Sequence, residues 1–260
     1  MKLPLFVPFV AALTLAGNPA LAVEVPVDLS TWTVNGSGNW VLQAGNDSVL
    51  QTLNSAPTIF HSGQNSQNTA LAGTIEVQTT GDDDFFGFVL GYQDGELFSD
   101  TADYILVDWK QNDQGAADAG LAISRVTGDA GTGVGGLSTG ADLWTKTGVV
   151  EELARGATLG DTGWADNTEY NFEISFTASN IQVFVDGVMQ FDLDGTFGNG
   201  AFGFYNFSQS NVLYAGITEE DLPDDDTGDN GDPTDVPEPG TLFLLATGLL
   251  GVGYMRRRRR

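Results

Sequence analysis

The sequence predicts an all-β chain: one two-sheet sandwich of jelly-roll type over residues 23–217, followed by a short apolar helix near the C-terminus. Three observations carry that expectation. Between Val23 and Ile217 the apolar pattern has period two, which puts alternate side chains on one face of a sheet. The 34 glycines and 16 phenylalanines favour short strands and frequent turns over helices. Asp186-Gly187 stands between two alternating runs, and a two-residue hairpin turn needs positive φ at both positions.

The strands follow in order. Phe86, Phe88, Leu90 and Tyr92 alternate with Phe85, Gly87, Val89 and Gly91. Ile105, Val107 and Trp109 alternate with Tyr104, Leu106 and Asp108, so Asp108 belongs on the outer face, where it needs no partner. Phe172, Ile174 and Phe176 mark another strand, Ile181 to Val185 and Val188 to Phe191 the two arms of the hairpin. Ala201 to Phe207 and Val212 to Ile217 are the last two. Val149 to Ala154 has room for one helical turn at most. Gly128 to Gly140 reads as a loop with a mobile tip. It contains Gly131-Thr132-Gly133-Val134-Gly135-Gly136, formally a dinucleotide fingerprint, but no helix pattern follows to receive a phosphate.

Both termini read as addresses. Lys2, the apolar run Leu3 to Ala16 and Ala20-Leu21-Ala22 compose a secretory signal over residues 1–22, with the mature chain beginning at Val23. At the other end stand Val236-Pro237-Glu238-Pro239, an apolar run from Thr241 to Met255, and Arg256, Arg257, Arg258, Arg259 and Arg260. The arginines stop transfer and stay cytoplasmic. The apolar run gives only about 23 Å of helix, short of the roughly 30 Å hydrocarbon core, which suits a brief stay in the membrane. Residues 218–235, rich in aspartate, proline and glycine, form a self-repelling spacer.

Charge and composition exclude several functions. Formal net charge is −25, and the stretch from Glu24 to Glu238 holds 35 acids against four cations, Lys110, Arg125, Lys146 and Arg155. Phosphate recognition needs clustered cations, so nucleic acid is excluded as a partner. With no cysteine, thiol catalysis and disulfide scaffolding are excluded too. His61 is the one histidine, placed in a Ser/Gly/Gln/Asn-rich loop as a surface residue, and no nucleophile elbow accompanies it. The chain is expected not to be an enzyme. Carboxylates for a glycan hydrolase would have to come from distant loops.

Two families are visible in the residues. The tripartite tail resembles the PEP-CTERM sorting signal of Gram-negative bacteria. That resemblance implies processing by an exosortase near Pro237-Glu238-Pro239, passage through the inner membrane and delivery to the envelope or outer surface. Asn39-Trp40-Val41-Leu42-Gln43, Asp82-Asp83-Asp84-Phe85-Phe86-Gly87-Phe88, Gly91-Tyr92-Gln93, Asp108-Trp109-Lys110-Gln111 and Gly203-Phe204-Tyr205-Asn206-Phe207 resemble the thrombospondin C-terminal domain, over most of Asp28 to Ile217. This second resemblance implies a concanavalin-like lectin sandwich that binds calcium outside the cell and takes part in adhesion. The family's usual preceding array of Asp-rich repeats and its closing cysteine are missing here.

Calcium is the cofactor expected on physical grounds as well, because Ca2+ takes six to eight oxygens from carboxylates, amides and carbonyls. Asp82, Asp83 and Asp84 open a strand, and three adjacent carboxylates repel unless a cation lies between them. Asp100 and Asp103, in the loop leading to Asp108, complete the candidate ligand set. Asp224 to Asp232 departs from an EF-hand loop and reads as solvated spacer. Of the tryptophans, Trp40 and Trp109 are expected in the core and Trp144 and Trp164 at a surface contact, although the resemblance suggests that even these two are structural. Three functions fit: a calcium-stabilised surface protein that attaches to an extracellular glycan or surface protein, a glycan hydrolase on the same sandwich, or an acidic matrix filler.

Overall fold

The computed structural model describes residues 25–130 and 140–222. In chain order the strands are β1 (Val25–Pro26), β2 (Thr33–Gly36), β3 (Trp40–Leu42), β4 (Val49–Gln51) and β5 (Thr58–His61). Then come β6 (Thr69–Val77), β7 (Phe85–Tyr92), β8 (Tyr104–Lys110), β9 (Gly120–Val126) and β10 (Val150–Arg155). The last five are β11 (Glu169–Phe176), β12 (Asn180–Val185), β13 (Val188–Asp194), β14 (Ala201–Phe207) and β15 (Val212–Asp221). One short helix, α1 (Ala141–Thr145), lies between β9 and β10.

The strands form two antiparallel sheets. The eight-stranded sheet runs β13-β12-β11-β6-β15-β4-β3, with β1 also paired to β15. The seven-stranded sheet runs β10-β9-β8-β7-β14-β5-β2. Their facing sides bury the period-two residues. Phe86, Phe88 and Leu90 of β7 meet Phe172, Ile174 and Phe176 of β11 in one core. Phe88 and Phe172 touch across the gap with ring centroids 4.5 Å apart. Tyr214 of β15 stacks on Phe204 at 4.3 Å and sends its hydroxyl proton to the carbonyl of Tyr205, 2.7 Å away, which ties the sheets with a satisfied buried polar group. The Asp186-Gly187 turn has φ of 49° and 72°, as the hairpin requires.

The seven-stranded sheet is buried on both faces, which period two alone does not reveal. Phe85, Val89, Tyr104, Leu106, Val126, Tyr205 and Phe207 point outward into a second core. Leu97, Ala102, Ala117 and Leu143 cover them from the connections between strands. Tyr92 joins this outer core although its parity places it with Phe86 and Phe88. Gly91, at φ 71°, breaks the alternation beside a register shift between Ala201 and Gly203.

Several expectations are corrected. Val150–Arg155 is an edge strand, because its backbone groups find partners on β9 from Val126 to Ala122. The last strand continues into the expected spacer: Thr218 to Asp221 pair with Ala72 to Thr69 of β6. Trp164 is 2% exposed and packs in the inter-sheet core, whereas Trp144 is part-buried at the edge of the outer one. His61 is 1% exposed, because β5 carries it under Tyr92, with ring centroids 5.1 Å apart. Burial lowers its pKa against the pull of Asp94. The apolar run Thr241 to Met255, the signal segment, the Gly131 to Gly136 run, the Asp224 to Asp232 run, the sorting motif and the five arginines lie outside the described residues. Among the described residues no helix is long and apolar enough to cross a membrane.

Candidate metal centre and the adjoining cavity

Asp82, Asp83 and Asp84 lead into β7 at one rim of the seven-stranded sheet, beside the end of β8 and the end of β14. The strand partners Phe85, Lys110 and Phe207 fix the rim. Backbone bonds from three directions hold the aspartates there. The amide of Asp84 donates to Gln209 Oε1 at 2.9 Å, and its carbonyl accepts from the indole of Trp164 at 3.1 Å. The carbonyl of Asp83 accepts from the Gln111 amide at 3.2 Å. One carboxylate oxygen from each of the three lies within 4.8 Å of the others.

A cation does stand against this cluster, and it is a lysine. Lys110 is wholly buried, and its Nζ donates to Asp84 Oδ1 at 2.9 Å, to the Asp83 carbonyl at 3.0 Å and to Gln114 Oε1 at 3.1 Å. Asp83 Oδ1 lies 3.7 Å from the same nitrogen. The ammonium also faces the rings of Phe85 and Trp144, 5.2 and 4.9 Å from their centroids. One ammonium against three carboxylates leaves two negative charges at the rim. The strain falls on Asp82, which accepts a hydrogen bond from Asn54 Nδ2. Burial, and then the neighbouring Asp84, push its carboxyl up to about 6. The rim therefore holds a surplus of hard oxygen donors, the donor type that divalent cations such as calcium take.

Asp100 and Asp103 are not brought to this rim. They precede β8, whose far end carries Lys110, so the antiparallel pair β7–β8 separates them from Asp84 by about six residues, or roughly 20 Å. Asp103 is engaged by Arg125, whose Nε and Nη2 donate to its two oxygens at 2.7 and 2.8 Å. That bond holds its pKa below the usual carboxylate value. Asp100 is exposed.

Asp108 is the site residue that the sequence did not mark. It does point to the outer face, as alternation requires, but that face is covered, and Asp108 is 1% exposed. Lys146, held at φ 51° just past α1, donates to its Oδ2. Burial still raises the Asp108 pKa against the pull of Lys146. Beside the pair lies a cavity of about 230 Å³. The signal available in the sequence was a lone carboxylate inside an apolar strand, in a domain with only four cations.

The family model for the thrombospondin C-terminal region matches residues 35–220. The chain belongs to that family. The PEP-CTERM protein-sorting motif matches residues 235–260. Among curated relatives, thrombospondin-3b of Danio rerio is 28% identical over 210 residues, covering 72% of this chain and 21% of its own length. Cartilage oligomeric matrix protein of Homo sapiens is 27% identical over 209 residues, covering 72% of this chain and 26% of its own. The chain therefore spans between a fifth and about a quarter of the length of these two relatives. Of solved structures, carbohydrate binding module CBM66 from Bacillus subtilis superposes with a TM-score of 0.51 at 11% identity, over 73% of this chain and 95% of that one. That likeness places the family domain on a lectin-like sandwich.

Two outcomes follow from the rim. Lys110→Met leaves the buried Asp84 carboxylate unpaired and should lower stability by about 3–5 kcal/mol, read by urea denaturation; the double variant with Asp84→Asn should recover most of the loss. In chelator, Asp82 binds its proton more tightly folded than unfolded, so its contribution to stability is greatest below pH 4 and falls as pH rises to about 6. Asp82→Asn should flatten that slope by on the order of 1 kcal/mol, after allowance for solvent screening of a part-exposed group, in denaturation curves at pH 4.5 and pH 7.

Proposed function

We propose that the protein is a non-catalytic, calcium-binding surface protein, exported, sorted by an exosortase acting at Val236-Pro237-Glu238-Pro239, and used in adhesion or matrix attachment. The observation that carries the reading is the rim cluster, where Asp82, Asp83 and Asp84 exceed their one buried ammonium by two negative charges. Calcium there would join the entry to β7 with the ends of β8 and β14, and so set the shape of the rim. Family membership supports an extracellular role, since the relatives include thrombospondins and a matrix protein by name. The sorting match supports export and envelope association, with a transient stay of the apolar tail in the inner membrane and Arg256 to Arg260 on the cytoplasmic side. The partner in this reading is an extracellular glycan or a surface protein.

Removal of calcium with EGTA at fixed ionic strength should lower the Tm by several degrees, and re-addition should restore it. Asp82→Asn should shrink that calcium shift while leaving a folded protein. A melting curve unchanged by chelation would reject the metal role. In cells, deletion of residues 236–260 should leave the protein as a free species in the periplasm and remove it from the outer surface, which fractionation and immunoblotting would read.

A further inference from the structure

Two buried lysine–aspartate pairs stand beside the outer face of the seven-stranded sheet, and they are not equally satisfied. Lys110 directs its three N–H groups to Asp84, the Asp83 carbonyl and Gln114, which makes a complete ion pair. Lys146 and Asp108 make an incomplete one. Their side chains are 12% and 1% exposed. Asp108 Oδ2 accepts from Lys146, but Oδ1 is shut off from solvent with no partner among the described residues. Lys146 Nζ makes its one hydrogen bond to a described residue with Asp108, and the centroid of the Phe85 ring lies 5.0 Å from it. A buried charge with one oxygen that nothing solvates is a costly state. An amide between the two side chains would remove both charges and leave Oδ1 as a neutral carbonyl, for which an unmet hydrogen bond costs far less.

The surroundings supply what such a condensation needs. Lys146 is held at φ 51° just past α1, with its own amide and that of Thr147 tied back to the Asp142 carbonyl, so its side chain is delivered to one place. Placement within one molecule reaches effective concentrations of about 10⁵ M or more, against which the water of bulk solvent competes poorly. Burial raises the pKa of Asp108 against the pull of Lys146, which favours a proton on its carboxyl. A cavity of about 230 Å³ adjoins the pair, and Glu152 lines it as a second carboxylate near Asp108. The other charged groups of the lining are engaged elsewhere. Arg155 Nε donates to Glu152 and so fixes it in place, while Nη1 goes to the carbonyls of Ala119 and Gly160. Arg155 Nη2 faces Asp118 at 3.8 Å, and Asp118 itself is 79% exposed.

We propose that Lys146 and Asp108 condense into an intramolecular amide, Nζ bonded to Cγ, with Glu152 as the proton carrier. The ammonium first passes one proton to Asp108 Oδ2. The lone pair of the neutral Nζ then forms the bond to Cγ. Glu152 takes a second proton from Nζ and hands it to Oδ2, the Cγ–Oδ2 bond breaks, and Oδ2 leaves as water into the cavity. One ammonium and one carboxylate become one amide and one water, with no change of oxidation state and no co-reactant. The link fastens the connection that carries α1 to the middle of β8, in a chain that has no cysteine to form a disulfide. It is independent of the calcium reading. Lys110 and Asp84, fully satisfied as ions, stay unlinked.

The test is peptide mapping of the purified full chain by tandem mass spectrometry after chymotryptic digestion. The peptide containing Lys146 should appear joined to the peptide containing Asp108, at their summed mass less one water, with fragment ions placing the bond on those two residues. Lys146→Arg keeps the positive charge but cannot form this amide, so its two peptides should appear apart. Its Tm should fall by on the order of 10 °C, because the link spans 38 residues of chain. The pair Asp108→Asn with Lys146→Met, which leaves no lone buried charge, should also give separate peptides. Glu152→Gln should slow linkage in newly made chain by about a hundredfold, read as the linked fraction against time. The proposal is overturned if the parent chain, after prolonged incubation, yields only separate peptides at full mass. It is equally overturned if the bond maps to Glu152 or Asp118, if the loss of water persists in Lys146→Arg, or if Glu152→Gln links as fast as the parent.

Discussion

The buried ion pair of Lys110 with Asp84 organises one whole end of this domain. An ammonium with no solvent contact has lost its hydration, and the loss must be offset by close acceptors. Lys110 finds them on two segments: the aspartate run before β7, through the Asp84 carboxylate and the Asp83 carbonyl, and the side chain of Gln114 after β8. Its charge also lies against the rings of Phe85 and Trp144, which draws α1 onto the sheet. The rim, the connection after β8 and the helix before β10 therefore share one anchor.

That anchor also explains how so acidic a domain tolerates adjacent carboxylates. The four cations between Glu24 and Glu238 are all paired with aspartate, and the two lysines are spent beside the outer face of β8, Lys110 on Asp84 and Lys146 on Asp108. Lys110 and Asp108 stand two residues apart on one strand, so they share a face. Phe85 lies within about 5 Å of both ammonium groups. The acidic rim and the cavity are in this way neighbours built from the same scarce charges.

Much of this was legible in the sequence, and the limit has a physical cause. Period two located β7, β8, β11, β12 and β14, and Asp-Gly located the tightest hairpin, because each depends on neighbours within a few residues. The Asp82 to Asp84 run was equally visible as a concentration of like charge. What alternation could not tell is whether an outward face meets water. Asp108, His61 and Trp164 were all read as exposed or solvent-near, and all are buried, under connections that are far away in the chain. Asp100 and Asp103 stand close to Asp108 in sequence, yet antiparallel pairing carries them to the opposite end of the strands from Asp84.

The order of strands, the export and sorting segments and the membership of a thrombospondin-like family are written locally, in spacing and in short motifs. Which charges meet is another matter. Lys110 is 26 residues from Asp84 and Lys146 is 38 from Asp108, and nothing in their surroundings along the chain marks them as partners. Only the closing of the sheet, and the folding of its connections back over the outer face, removed water from those side chains. Desolvation turned ordinary surface residues into two buried pairs with valences to spare.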